Sequence, residues 1–143
     1  MIRITEAIAP TDALIEACAR LLPQLSDRLT IPGRGAVARI VAAPAVRLLT
    51  ASAGDGRIVG MLSAAFYEVP SGRKAWIEDV VVDAAARGRG VGEALVREAL
   101  RIARAEGASR VMLTSHASRR AAHRLYERMG FERYETDCFR LDL

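Results

Sequence analysis

The chain has 143 residues, is 51% hydrophobic, and carries a net charge of +4 from 21 basic and 17 acidic side chains. That length predicts one domain, residues 1–143, large enough to bury most of the surface its unfolded form exposes. No apolar run approaches the roughly 20 residues that span a bilayer, and the arginines are dispersed rather than set in a stripe with interleaved aromatics, so neither a membrane nor a nucleic-acid partner is expected.

In chain order, Ile2–Glu6 reads as a short strand in an N-terminus with no signal-peptide core, so a cytoplasmic protein is the expectation. Pro10-Thr-Asp opens a helix on which Leu14, Ile15, Cys18, Leu21 and Leu22 recur at helical spacing. A break rich in Pro and Gly runs from Pro23 to Gly35, before a second short helix near Ala36–Ala43. Val46–Ala53 and Arg57–Glu68 read as strands joined by Gly54-Asp-Gly56, a strong hairpin turn. Pro70-Ser-Gly72 turns the chain into a strand over Lys74–Val82. Val91, Leu95, Ala99 and Ile102 then lay one apolar stripe along a helix that ends near Gly107. Arg110–Ser115 reads as a buried strand, Ser118–Met129 as a helix and Phe131–Leu141 as a final strand.

Strands in a run, then strand, helix, strand, helix, strand, predict a mixed α/β sheet with a parallel crossover between the fourth and fifth strands. The open edge of a final strand is a natural seat for a homodimer. Cys18 and Cys138 have neither metal spacing nor a disulfide framework and read as reduced core thiols. His116 and His123 stand apart from other ligand types, so no metal is expected.

The most informative stretch is Trp76-Ile-Glu-Asp-Val-Val-Val-Asp-Ala-Ala-Ala-Arg-Gly-Arg-Gly-Val-Gly92. It reads as a strand with two adjacent acids, then a turn rich in Gly and Arg that opens a helix. Unpaired N–H groups at a helix N-terminus and the helix dipole favour an anion there. Gly88, Gly90 and Gly92 let the backbone approach a ligand, and Arg87 and Arg89 supply planar forks for phosphate oxygens. A dinucleotide fingerprint fails, because counting from Gly88 the third glycine position is Glu93. A Walker-type loop fails too, because Lys74 is the only lysine.

The spacing Arg87-x-x-Gly90-x-Gly92 resembles the cofactor turn of the GNAT superfamily of N-acetyltransferases. Trp76–Val82 resembles the fourth strand of that family, and Ala122-His-Arg-Leu-Tyr-Glu-Arg-Met-Gly-Phe131 resembles its A-x-x-L-Y-E-x-x-G-F signature. The resemblance implies a central, mostly antiparallel mixed sheet of about six to seven strands flanked by about four helices. It also implies an enzyme that moves an acetyl group from acetyl-CoA (coenzyme A) to a primary amine of a small molecule, amino acid or peptide, by direct attack in a ternary complex. Arg87, Gly88, Arg89, Gly90, Val91, Gly92 and Glu93 would hold the pyrophosphate, and the backbone of Val80, Val81 and Val82 the pantetheine arm.

Acetyl transfer needs a neutral amine, so a base must take its proton. Glu78 and Asp79 are the candidates, because charges inside a strand are unfavourable without a task or a partner. Glu78 is the favoured base, with Asp79 and water as the alternatives; desolvation of such a carboxyl favours its protonated form, as a base working near pH 7 requires. The resemblance implies a bulge in this strand, with an N–H near Val80 facing the oxyanion. Tyr126 is the expected proton donor to the leaving sulfur, at the edge of a core face formed by Ala122, Leu125 and Met129.

Three positions depart from the family pattern. Arg119 stands where Asn is common and would reach phosphate, Ala84 replaces a frequent Pro, and Glu93 adds a negative charge beside the cradle while pointing to solvent. An acyl-CoA-binding module without transferase activity and a basic nucleic-acid-associated domain are the alternative readings.

Overall fold

The computed structural model describes all residues, Met1–Leu143. The elements run β1 (Arg3–Glu6), α1 (Asp12–Leu25), α2 (Arg34–Ala42), β2 (Val46–Ser52), β3 (Ile58–Val69), β4 (Gly72–Val82), α3 (Val91–Ala105), β5 (Val111–Met112) and α4 (Arg120–Arg128). The strands form one sheet in the order β1-β2-β3-β4-β5, antiparallel except for the parallel β4–β5 pair. The mixed α/β class, the four helices and the parallel crossover therefore agree with expectation.

Local chemistry explains most boundaries. Thr11 caps α1, its Oγ1 accepting from the Leu14 N–H at 3.2 Å, and Asp12 favours the positive end of the helix. α1 runs through Pro23 rather than stopping there. Proline that close to the helix end removes one internal hydrogen bond, while Leu21 and Leu22 are buried and Leu25 packs beside them. In the hairpin turn, Gly56 takes φ +85° and the Asp55 carboxylate accepts from the Arg57 N–H.

Two cores sandwich the sheet. On one face α3 buries Leu95, Val96, Ala99 and Ile102 against Leu49, Leu62, Ala64, Phe66, Ala75 and Ile77. On the other, α1 and α2 bury Leu14, Ala17, Cys18, Leu21, Leu22 and Val37 against Leu48, Met61 and Val81.

The C-terminal third departs from the sequence expectation. The sheet has five strands, not six or seven, because Phe131–Leu141 forms no strand and β5 shrinks to Val111–Met112. A strand needs a neighbouring ladder and a face to bury. Here charged residues occupy both faces of Glu132–Asp137, and Phe139 and Leu141 remain exposed. The edge on which a homodimer was expected is thus not built by that segment. Cys138 is exposed, so only Cys18 is a core thiol.

Candidate active site

β4 carries the central irregularity of the molecule. Its register against β3 shifts between Met61 and Ser63, so Ser63 pairs with Glu78 and Met61 with Val81. Asp79 and Val80 together oppose Leu62, which is a bulge. Asp79 is the only non-glycine residue at positive φ, +52°, a conformation that costs on the order of 1–3 kcal/mol. The extra residue exchanges the faces of the strand. Before it, Ala75 and Ile77 enter the α3 core; after it, Val81 enters the α1 core and Val80 and Val82 pack on the α3 side. Glu78 therefore lies on the α1–α2 face and is exposed. The desolvation expected for Glu78 is not supplied by the chain itself.

Beyond Val82 the chain makes a short 3-10 turn over Ala84–Ala86 and then enters α3 through Gly88 and Gly90, at φ +77° and +76°. A residue with Cβ in that left-handed region would be strained at either position. The amides of the 3-10 turn are all satisfied. Ala84 donates to Gln24 Oε1 at 2.8 Å, Ala85 to Asp83 Oδ1 at 3.2 Å, and Ala86 to the Asp83 carbonyl at 2.8 Å. The amide N–H groups of residues 88–93, in contrast, find no acceptor within the chain. They lie at the N-terminus of α3, and Arg87 lines the same cleft, a donor set suited to an anion with several oxygens.

All of these residues except Arg89 line a cleft of about 610 Å³ between β4, the turn and α4. Val80, Val81, Val82, Arg87, Gly88, Gly90, Val91, Gly92, Glu93, Arg119 and Tyr126 all line it, whereas Arg89 and Glu78 do not. Gly92 is needed for closeness: a Cβ there would meet Leu125 Cδ2 at 3.2 Å and Val82 Cγ2 at 3.7 Å. Glu93 forms an ion pair with Arg97 one turn along α3, which answers its charge.

α4 supplies the far wall. Tyr126 is its buried residue, 7% exposed, while Ala122, Leu125 and Met129 are half-buried. All three pack against the core that contains Tyr126, as expected of that face, and the cleft opens along Ala122 and Leu125, so Tyr126 is the more deeply buried. The Tyr126 ring meets Phe131 edge-on at 5.8 Å. Burial pushes its phenol above the usual range, and the nearby Arg119 charge opposes that shift.

Several lining residues were not anticipated. Gln24 reaches the cleft from α1, and Arg120, Arg124 and Arg128 line it along α4. The spacing of four between those arginines on a predicted helix was the available signal. A larger cavity of about 900 Å³ lies between β5, α4 and the C-terminal segment, with Tyr126 in the wall between the two spaces. It is bounded by the segment without regular structure, and its own unpaired amides, those at 132–134 among them, belong to no helix N-terminus.

The pattern of the Acetyltransferase (GNAT) family matches residues 17–131. The chain is 40% identical over 91 residues to a glucosamine 6-phosphate N-acetyltransferase of Trypanosoma brucei brucei, covering 62% of this chain and 59% of that protein. It is 36% identical over 88 residues to a mycothiol acetyltransferase of Beutenbergia cavernae, covering 62% of this chain and 29% of that protein. The chain thus spans less than two thirds of the length of these curated relatives. The crystal structure of a transcriptional regulator from Bacillus halodurans superposes with a TM-score of 0.83 at 28% identity, over 100% of both chains. The chain belongs to the Acetyltransferase (GNAT) family.

Proposed function

We propose that this chain is an acetyl-CoA-dependent N-acetyltransferase acting on a primary amine of a small molecule, amino acid or peptide. The observation that carries the reading is the row of unpaired amides at 88–93, set in one cleft with Arg87, the bulged end of β4 and Tyr126. That donor set fits a pyrophosphate, and the open space beside Gly88 and Gly90, where a Cβ would meet nothing within 4 Å, fits a ligand lying close to the backbone. When bound, acetyl-CoA supplies an activated carbonyl and a thiolate leaving group.

The residues divide the work along β4. Glu78 takes the ammonium proton on the open α1–α2 face, directly or through water, and Asp79 fixes the bulge that presents it. The Val80 N–H faces the developing oxyanion, and Val80–Val82 pair with the pantetheine arm as another strand would. Arg87 and the amides of 88–93 hold the pyrophosphate, and Arg119 approaches a phosphate from α4. Tyr126, kept protonated by burial, donates to the departing sulfur. Neither cysteine lines this cleft, which favours direct attack in a ternary complex over a covalent acyl-enzyme.

The first test is thermal unfolding with and without acetyl-CoA. Ligand at 100 times its Kd stabilises by about 2.7 kcal/mol, a clear rise in midpoint. An unmoved midpoint at millimolar acetyl-CoA overturns the reading. Thiol release against a panel of amines, including amino sugars and amino acids, then identifies the acceptor. Initial-velocity lines that intersect support the ternary complex, and parallel lines overturn it.

A further inference from the structure

The free amides at 88–93 form a site only if the turn before them is held still. The structure shows what holds it. Arg20, on α1, is only 18% exposed at its side chain and satisfies three acceptors on different elements. Its Nη1 donates to Asp83 Oδ2 at 2.8 Å, its Nη2 to the Ile58 carbonyl at 2.7 Å, and its Nε to Glu16 Oε1 at 2.9 Å. The other oxygen of Asp83 caps Ala85, and the Asp83 N–H itself donates to the Val59 carbonyl at 2.8 Å. One turn further along α1, Gln24 accepts from Ala84 and donates to the Arg20 carbonyl at 3.3 Å.

We infer that Arg20 and Asp83, with Gln24, are positioning residues for the cofactor turn, tying α1 to the start of the loop whose amides receive the pyrophosphate. The inference rests on the reading that this cleft takes coenzyme A. The physical argument is preorganisation. A loop that wanders must be ordered when the ligand binds, and that cost is subtracted from affinity. Arg20 is suited to the task because its rigid planar fork holds five N–H donors in fixed, separated directions, whereas a lysine offers three from a single point. Asp83 is suited because one carboxylate serves two donors, the guanidinium and the Ala85 amide. The Ala85 amide first, then Gln24 and Arg20, lower the Asp83 carboxyl from its ordinary value, which favours the charged form that the brace uses. None of these contacts reaches the reacting atoms. Their loss therefore acts on cofactor affinity and leaves the chemical step intact.

The experiment measures the Kd of coenzyme A by calorimetry, together with kcat and the KM for acetyl-CoA, in wild type, Arg20→Met, Arg20→Lys, Asp83→Ala, Asp83→Asn and Cys18→Ala. Asp83→Ala and Arg20→Met should raise Kd and KM by roughly tenfold, the scale of a lost charged hydrogen bond, with kcat at saturation within about twofold. Asp83→Asn keeps an acceptor for Ala85 and Arg20→Lys keeps a charge, so both should fall between wild type and the severe variants. Cys18→Ala loosens the α1 core without touching the turn; it should lower Tm and leave Kd unchanged. If wild type binds coenzyme A and the Asp83 and Arg20 variants bind it equally well, the inference fails. It fails also if Kd merely follows Tm across the set, Cys18→Ala included. Absence of binding by wild type would overturn the functional reading instead.

Discussion

The two halves of β4 make an instructive contrast. Gly72–Glu78 behaves as an ordinary strand, with Ala75 and Ile77 buried under α3 and Glu78 exposed on the opposite face. Val80–Val82 has its faces exchanged and leads directly into the braced turn. One inserted residue separates them, and it sits in a backbone conformation that disfavours side chains. The lesson is that a single strand can open one face to solvent along its length and lead into a braced turn at its end, provided that its register is broken between the two.

Deleting Asp79 is the most severe way to break this contrast. Plain alternation through Ile77, Glu78, Val80, Val81 and Val82 keeps each side chain on its present face, so the deletion removes the bulge and its positive φ while sparing both cores. Coenzyme A binding should be lost while Tm holds, measured by calorimetry and thermal unfolding. Glu78→Gln attacks only the first half. It should lower kcat by about 10²–10⁴-fold and leave the coenzyme A Kd unchanged; an equal loss of cofactor affinity would show that the halves are not independent.

Tyr126→Phe should lower kcat by about tenfold, because a thiolate is a fair leaving group without a proton donor. The same residue carries a stability signature. Its folded pKa lies above the unfolded value of about 10, so its contribution is complete below that value and is lost as pH rises through the folded one. The Phe variant should lack that alkaline fall.

Gly92→Ala should weaken coenzyme A binding a few-fold while changing stability by less than about 1 kcal/mol, because helix propensity offsets the contact with Leu125. Asp83→Asn gives the smallest effect. The Asp83 carboxyl has a lowered folded pKa, so its contribution is present above the unfolded value of about 3.9 and disappears as pH falls through the folded one. The Tm difference between Asp83→Asn and wild type should therefore close in acid.

How much of this was legible in the sequence depends on how local the encoding is. The turn into α3 was legible because Gly88, Gly90 and the arginines beside them prescribe backbone geometry and charge within a few residues. The bulge was anticipated from the resemblance and from two adjacent acids in a strand, and Asp79 at φ +52° agrees with it. The brace was not legible, because Arg20 meets Asp83 across 63 positions and Gln24 meets Ala84 across 60. Nothing in the apolar stripe of α1 marks those two polar residues as contacts. The C-terminal segment misled for the opposite reason. Phe131–Leu141 has strand-like residues, but alternation is only permissive, and without a partner ladder it builds nothing. On α4 the helix and its core face were legible, but not the depth of Tyr126, because the cleft that opens along Ala122 and Leu125 is invisible in sequence.

The unequal burial of the two cysteines has a practical consequence. Cys18 is buried, and burial pushes its thiol up, whereas Cys138 is exposed. A water-soluble aryl disulfide should titrate Cys138 at once, adding a fixed background to any assay that counts released coenzyme A. Cys18 should react only when α1 lifts from the sheet. Because α1 also carries Arg20 and Gln24, the slow phase of labelling becomes a clock for the brace. Saturating coenzyme A should slow that clock and leave the fast phase untouched.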